Sequence, residues 1–537
     1  MKQLLFTFLF VLFGTLFVQA QKIVSGVVTD ESGMPLIGAS VVAKEASAIG
    51  TITDIDGAFK LQVPENVTKL VVSYTGYKTQ DIEIGGASFI NITLNESAVL
   101  DEIVVVGYGA QAKRDVTGSI SKVKGDDIAT LISPSFVQQL AGRSAGVQIQ
   151  NTSGILGSVP RINIRGVNSI SSGTQPLVVI DGVPAITGDL GGFTSVNALS
   201  DLNSNDIESY EILKDGAATA IYGSRAANGV ILITTKKGAV GKASFTYDGS
   251  YGVASAHKLY SLLGAQDFVT IQNEKYANAG SPAVADIEKR ADGSIVDTDW
   301  QGLLFRNGAQ QNHSLTVSGG ADKTRYFVSF GLANMEGISI ANSLKRYSFR
   351  ANIEQSVNSW LTAGFNSGIT RQENFGPLTG SNNLSGNIFG ALRMLPNVDA
   401  FDATDPTGYN IDNANPRALG RGANKDVISN GIPNQLFVSN HDVRKSTTTR
   451  LLGNGYLQAR LLEGLTFRTQ LGYDGSYIDD FIYQDARHGD GYGSTGYLAQ
   501  YYTPINRWNW QNILSYNTSI NDAHNLGLTL VQEYQKE

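Results

Sequence analysis

The glycine-rich stretch from Gly107 to Ala112 is the first place in the sequence where residue types and spacing could do chemistry. It fits the pattern G-x-G-x-x-A and follows an apolar strand at 103–106, as a dinucleotide-binding unit would. Such a unit also needs a helix that opens on the third motif position. The residues that follow, 115–119, read DVTGS and are poor helix formers. The spacing therefore argues against a nucleotide site.

Other catalytic and metal-binding patterns are missing from the sequence. Cysteine is absent and the five histidines are scattered, which excludes thiolate chemistry and makes a histidine metal cluster improbable. Asp54-x-Asp56-Gly57 looks like the start of a calcium loop, but the further oxygen ligands and the terminal Glu of such a loop do not follow. We interpret it as a hairpin turn. The sequence predicts no enzyme, no cofactor and no metal site.

The same stretch has a second interpretation, as a strand that pairs with a partner protein. A short apolar strand between two domains can add its backbone to the edge of a partner's sheet, with little demand on side chains. An ordinary linker strand is the alternative that this motif alone leaves open. The candidate partner-binding residues are Ile103, Val104, Val105, Val106, Gly107 and Tyr108.

Composition narrows the class of protein. The 537 residues carry a net charge of −7, which argues against phosphate-driven nucleic-acid binding. Glycine is frequent (59 residues), proline is rare (13), and Tyr and Phe number 22 each, which indicates aromatic strands rather than a disordered chain.

The first twenty residues predict a cleaved signal peptide. Lys2 precedes an apolar run at 4–18, and Val18 and Ala20 are small residues at the −3 and −1 positions. The run is short for a membrane helix, which needs about 20 residues, and no later apolar segment is long enough. Export then leaves either a soluble exported protein or an outer-membrane β-barrel.

Beyond residue 240 the sequence predicts nine two-sided strands. In each, apolar residues alternate with polar ones, as in a transmembrane barrel with a wet lumen, although a soluble sandwich would give the same pattern. The predicted strands lie near 244–253, 311–319, 324–334, 345–355, 359–370, 449–461, 464–476, 507–517 and 524–535.

The lengths of the connections decide between these alternatives. Short connections (320–323, 356–358, 462–463, 518–523) alternate strictly with longer ones (254–310, 335–344, 371–448, 477–506). Tight periplasmic turns and long extracellular loops are typical of outer-membrane barrels. Nine strands cannot complete a bacterial barrel, because single-chain barrels have an even number of strands. A barrel that encloses a plug, as the resemblance described below implies, has about 22 strands, so we expect roughly a dozen further strands in a longer protein.

Residues 22–97 form strands every ten residues or so and predict a small β-sandwich. The runs SGVVTDESGMPLIGASV, GTITDIDGAFKL and LVVSYTGY resemble the carboxypeptidase-regulatory-like, transthyretin-like domain. The apolar strand that follows at 103–108 closely resembles the TonB box of TonB-linked outer-membrane proteins.

Residues 113–238 carry the most specific motifs. IRG at 164–166, PLVVIDGVP at 176–184 and the long run DIESYEILKDGAATAIYGSRAANGVILITTKKG from 206 strongly resemble the plug of SusC/RagA-type TonB-linked transporters. Arg161 and Arg165 could face substrate, but we interpret them as residues that hold the plug to the barrel wall through carboxylates, and we name no substrate-binding residues. Asp181 and Lys214-Asp215 are interpreted as turn and packing residues.

The resemblance implies an all-β-dominated fold in the N-terminal part of a SusC/RagA family protein. The domains are a signal peptide (1–20), a transthyretin-like β-sandwich (21–97), a TonB-box segment (98–112), an α+β plug (113–238) and the first part of a transmembrane antiparallel β-barrel (239–537).

The resemblance also implies a function, namely TonB-dependent import of oligosaccharides or peptides across the outer membrane. The implied partners are the TonB–ExbB–ExbD complex, a SusD-like surface lipoprotein and outer-membrane lipid, with no nucleic acid. Siderophore or cobalamin uptake and a non-transporting surface adhesin are the alternatives.

Overall fold

The chain divides into two compact units, Met1–Val104 with Gln111–Thr117, and Val105–Ala110 with Gly118–Glu537. The computed structural model describes residues 21–31, 33–44, 46–74, 77–85, 87–95, 103–106, 109–112, 118–129, 133, 135–169, 173–290, 292–377, 386–428, 432–520 and 524–537. The predicted signal peptide at 1–20 lies outside the described residues.

The first unit contains a two-sheet β-sandwich. One sheet has the order β4-β1-β7 and the other the order β3-β2-β5-β6. Alternate side chains of the strands point inward, and Val41, Phe59, Leu70 and Ile92 are among the buried residues of the shared core. The strands are β1 (Gln21–Thr29), β2 (Ser40–Ala43), β3 (Ala46–Ile52), β4 (Ala58–Pro64), β5 (Lys69–Ser73), β6 (Gln80–Glu83) and β7 (Phe89–Thr93).

The turn before β4 confirms the hairpin interpretation. The Asp54 carboxylate accepts backbone N–H bonds from Asp56 (3.0 Å) and Ala58 (2.8 Å), and Gly57 has φ 70°. The carboxylate is used to close the turn, in the manner of an Asx-turn. The sequence predicts strands near 24–29, 40–44, 57–63, 70–74 and 89–94. It does not predict β3 and β6, which contain few large apolar residues.

The second unit begins with the plug-like region. A five-stranded mixed sheet has the order β10-β15-β16-β13-β14, and β11 pairs with β12 beside it. Phe136, Ile180, Tyr210 and Ile233 are buried in its core. Before this region, β8 (Ile103–Val106) and β9 (Gly109–Ala112) each have residues in both units. The elements of the plug-like region are β10 (Ile120–Lys124), α1 (Gly125–Ala129), α2 (Phe136–Gln139), β11 (Val147–Gln150), β12 (Arg161–Ile164), β13 (Leu177–Ile180), β14 (Val183–Pro184), β15 (Ile207–Leu213), α3 (Gly216–Thr219) and β16 (Val230–Thr235).

All nine predicted strands of the C-terminal region are present among the described residues, in one antiparallel sheet. They pair in chain order, and the two outermost, β17 and β25, have one described neighbour each. The strands are β17 (Gly241–Ala254), β18 (Gly308–Gly320), β19 (Thr324–Glu336), β20 (Ser343–Ser356), β21 (Leu361–Phe375), β22 (Val443–Leu462), β23 (Leu465–Gln484), β24 (Tyr497–Ile520) and β25 (His524–Lys536).

The two faces of this sheet differ in polarity. On β20, Arg346 is 5% exposed and Tyr347 is 51% exposed; on β23, Gln470 is 2% and Leu471 58% exposed. The polar face is buried under the plug, and the apolar face is open. Short and long connections alternate as predicted, but the last long loop is shorter than expected because β23 and β24 continue to 484 and back from 497.

The two longest loops fold together around their own core. They contain α4 (Ala265–Asn278) and α5 (Trp300–Leu304) in one, and α6 (Asn387–Arg393) and α7 (Gln435–His441) in the other. Trp300 and Leu304 are buried with Val398, Leu419 and Leu436. These loops therefore form a built structure above the sheet.

His488 joins the third long loop to this structure. Its Nδ1 donates to the carbonyl of Pro416 (2.6 Å), and its Nε2 accepts the backbone N–H of Asn434 (2.7 Å). Burial lowers the pKa of His488 to about 4, so the ring is neutral at neutral pH. Protonation would remove the acceptor that Asn434 needs.

We expect the loop structure to weaken as the pH falls from 6.5 toward 4. The folded-state pKa lies below the ordinary 6.5, so unfolding takes up a proton in that window and stability is lost there. Limited proteolysis of the loops across this range tests it. In H488F the loops should be cleaved at every pH, whereas H257Q, at an exposed histidine, should behave like the parent. A parent protein with pH-independent cleavage contradicts the assignment.

Candidate functional site

The plug segment 186–206 lies along the polar face of the sheet. Two short 3₁₀ turns, Ala198–Asp201 and Ser204–Asp206, are capped by Asn197 and Asn203, whose side chains accept the backbone N–H of the residue two positions on. These turns direct carbonyls and carboxylates toward the strands.

Main-chain carbonyls of this segment accept hydrogen bonds from strand side chains. Asn374 donates to Ser195 (2.9 Å) and Thr370 to Asp201 (3.0 Å). Two arginines do the same, Arg346 to the carbonyl of Ser200 and Arg450 to that of Ala198. The position of the plug on the strands is therefore fixed by its backbone as well as by its side chains.

A buried cluster of six charged side chains lies at the centre of this contact. The Arg450 guanidinium holds Asp474 of the next strand through two bonds, Nε to Oδ1 (2.8 Å) and Nη2 to Oδ2 (2.6 Å), and lies 3.6 Å from plug Asp201. Asp474 also accepts the backbone N–H of plug Ile186 (2.7 Å). Arg350 pairs with plug Asp206 at 3.4 Å, and Arg346 is the sixth member.

The cluster balances three guanidinium groups against three carboxylates. Every member is at most 5% exposed, so each charge depends on its partners for the stabilisation that water would give. Burial raises the pKa of Asp201 to about 6, with Arg450 and Arg346 opposing the shift, and burial likewise raises the pKa of Asp206 against Arg350. At neutral pH Asp201 is still mostly ionised and can hold Arg450.

A second row of contacts is formed by amide side chains. Asn454 (3.0 Å) and Gln470 (3.2 Å) donate to the carbonyl of Asp181, and Gln511 (3.0 Å) donates to that of Gly182. Asn352 donates to the hydroxyl of Thr235 (2.8 Å). The plug is thus held to the strands by two sets of polar contacts, the charged cluster and these amide hydrogen bonds, and water could replace both.

The candidate partner-binding strand is part of a hairpin. Residues 103–106 form β8, which pairs with β9 (109–112) in a two-stranded sheet. Gly107 and Tyr108 lie outside the described residues. The backbone of residues 103–106 is therefore extended, as β-augmentation needs.

In the described part of the chain, His and carboxylate side chains form no group of three or more that could hold a metal ion. No helix among the described residues is long and apolar enough to cross a bilayer.

Two domain families match the chain. The TonB-dependent receptor plug domain matches residues 112–230, and the carboxypeptidase-regulatory-like domain matches residues 24–106. "TonB-dependent receptor P3" of Formosa agariphila is 34% identical over 552 residues, covering 100% of this chain and 50% of that protein. "TonB-dependent receptor SusC" of Bacteroides thetaiotaomicron is 35% identical over 395 residues, covering 72% of this chain and 37% of that protein.

The structural comparison agrees with these matches. The RagAB peptide importer in its open-open state matches with a TM-score of 0.67 and 25% identity, over 81% of this chain and 49% of that chain. The chain belongs to the SusC/RagA-type TonB-dependent receptors. Its fold is that of a plug and strands of a TonB-dependent barrel, preceded by a β-sandwich, and its relatives are named receptors rather than enzymes. The chain spans about half the length of the receptor P3 that it matches.

The receptor uses several predicted residues as structural ones. Asp181 forms the β13–β14 turn (φ 49°) and accepts from the N–H and hydroxyl of Thr235. Asp215 caps α3 by accepting the N–H of Ala218 (2.8 Å), and Lys214 donates to the carbonyl of Ala145 (2.8 Å). The interpretation of these residues as turn and packing residues is confirmed.

The structure does not show the predicted contacts of Arg161 and Arg165 with the strands. Arg161 and Arg165 are exposed, and neither pairs with a strand carboxylate within the described residues. The ion pairs that join the plug to the strands have the opposite arrangement, with the carboxylates on the plug and the arginines on the strands. The sequence carried a signal for this: Arg350 and Asp474 occupy polar-face positions of otherwise amphipathic strands.

Proposed function

We propose that this receptor imports nutrients across the outer membrane, with energy delivered by a TonB–ExbB–ExbD complex to the segment 103–108. The apolar outer face of the sheet suits a bilayer, and the polar inner face is filled by the plug. The domain division given above is part of the same proposal.

The observation that carries this proposal is the polar, charge-balanced plug contact. A plug meant to stay would be better held by an apolar interface, which is often at least as stable as buried ion pairs. Hydrogen bonds and ion pairs can be exchanged for water, so this contact can be pulled apart and re-formed. Such an interface suits a plug that moves when force reaches it.

Cargo and partner are proposed from the relatives. RagAB is a peptide importer, and the SusC/RagA resemblance implies oligosaccharides or peptides as cargo and a SusD-like lipoprotein at the surface. Growth of a knockout on a panel of glycans, peptides and iron chelates would identify the cargo class, and growth defects confined to iron chelates would overturn the nutrient assignment.

We expect the substitution V105P, made in the full-length gene, to abolish energised uptake. Proline removes a backbone N–H and cannot continue a strand pairing, so β-augmentation by TonB would fail. Surface expression and cargo binding should be retained, and uptake should fall to that of a strain lacking TonB.

The matched control is V105T, which keeps the N–H and the β-branched shape and should import normally. Normal import by V105P would argue against energy delivery through this segment, whereas a parent receptor whose uptake does not exceed that of the strain lacking TonB would favour an adhesin.

A further inference from the structure

The outward face of strands β19–β21 carries two adjoining cavities of different polarity. The register pairs Leu332 with Tyr347 and Tyr347 with Arg371, and one step further along it pairs Asn334 with Lys345. Tyr347, Arg371 and Lys345 are exposed and alternate with the buried residues that face the plug. This face therefore looks away from the plug, toward whatever surrounds the sheet.

The first cavity is an apolar depression of about 570 Å³. Phe330 and Phe349, with ring centroids 5.0 Å apart, form its floor with Leu332 and Ile369. It is lined by residues of β17 to β21, whose neighbouring strands are paired with one another, and it lies on the face opposite to the plug. Acyl chains are the natural occupants of such a surface.

The second cavity, of about 430 Å³, begins where the first ends, at the loop end of the same strands. Arg306, Lys345 and Arg444 line it together with Glu336 and Asp442. Arg371, which lines the first cavity, and Lys445 of β22 both lie within 4 Å of Glu373.

The charged residues that line the second cavity, together with Arg371, Glu373 and Lys445, carry a net positive charge. With Asp490, which faces Arg444 and Asp442, the two groups contain five cationic and four carboxylate side chains, a difference of one. Lys345 is exposed and lies opposite Glu373 in the register, but it forms no ion pair within 4 Å among the described residues. The side chain of Arg371 is 56% exposed although it forms an ion pair with Glu373. An anion entering the cavity would therefore find cations that are not fully neutralised.

We propose that this pair of cavities binds a phosphate-bearing lipid of the surrounding membrane leaflet, with its headgroup phosphate at Lys345, Arg371 and Lys445 and an acyl chain in the depression. The proposal rests on the membrane location given under Proposed function. Cationic side chains at a bilayer boundary attract lipid phosphates with about tenfold or less in affinity for each charge, and the depression adds apolar burial below them.

Binding of lipid A to the purified full-length receptor in detergent, followed by native mass spectrometry, tests the proposal. Three probes are compared: phosphorylated lipid A, the same lipid after phosphatase treatment, and inorganic phosphate. We expect the triple variant K345Q/R371Q/K445Q to bind phosphorylated lipid A about a hundredfold more weakly. Dephosphorylated lipid should lose a similar factor on the parent, and inorganic phosphate should not compete at lipid-saturating concentrations.

The matched control is K323Q, which removes an exposed cation at the opposite end of β19 and should bind lipid as the parent does. Binding by the triple variant within threefold of the parent overturns the proposal, as does equal binding of the dephosphorylated lipid or tight binding of free phosphate. Loss of a dimer in the triple variant, without lipid selectivity, would assign the patch to a second copy instead. Uptake is measured in parallel, so a receptor that imports but binds no lipid refutes this site alone.

Discussion

Replacing Arg450 by methionine is expected to loosen the plug and make the full-length receptor leaky. Arg450 is the only one of the three cluster arginines described with bonds to strand Asp474, to plug Asp201 and to the plug backbone at once. Its removal leaves Asp474 and Asp201 buried without their main cation. Removing one partner of a buried ion pair costs about 3–5 kcal/mol, so the plug should be held less firmly against the strands.

The effect should appear as permeability, since the plug is what fills the polar face. We expect R450M to admit large antibiotics and to show conductance in planar bilayers, with the plug more open to protease. R450K keeps the charge but loses the forked geometry that grips Asp474, so it should lie between R450M and the parent.

The matched control for this experiment is R460M. Arg460 lies on the same strand as Arg450, but it is exposed near the other end of β22, so its loss should leave the plug seated. An R450M receptor as tight as the parent would show that the cluster does not hold the plug.

Most of the fold could be predicted from local pattern. Nine strands follow from alternation because each strand has one polar and one apolar face, and that pattern depends only on neighbouring residues. The prediction was wrong at the third long loop, where Tyr497–Pro504 continues β24. Pro504 interrupts the strand pattern of that stretch, and its pairing with β23 makes it a strand.

The charge cluster could not be predicted because its members are brought together by tertiary structure. Asp201 lies in a 3₁₀ turn of the plug and Arg450 in β22, and no spacing rule connects them. The sequence favoured Arg161 and Arg165 instead, since plug arginines beside an IRG motif are the conspicuous charges. The pattern did show that Arg350 and Asp474 are charged residues at polar-face positions of their strands, which indicates that they face groups able to pair with them.

A reversible covalent bond between plug and strands is expected to stop transport. These 537 residues contain no cysteine, so an introduced pair has no competing thiol among them. Gly192 of the plug segment donates its N–H to Asp480 of β23 (2.9 Å), and a Cβ built on Gly192 lies 3.8 Å from the Cβ of Asp480. That separation matches the mean for a disulfide, so G192C/D480C should cross-link on oxidation with little backbone movement.

Oxidised G192C/D480C receptor should import at least about tenfold more slowly than the same protein after reduction, because a disulfide withstands the force that separates hydrogen bonds and ion pairs. The single variants G192C and D480C control for the loss of the Gly192–Asp480 hydrogen bond and should be insensitive to reductant. Full cross-linking with unchanged import would mean that cargo passes without the plug leaving β23 at this point. The plug would then have to open elsewhere, and the ion cluster at Arg450, on the neighbouring strand β22, would be a permanent anchor rather than a contact that is released.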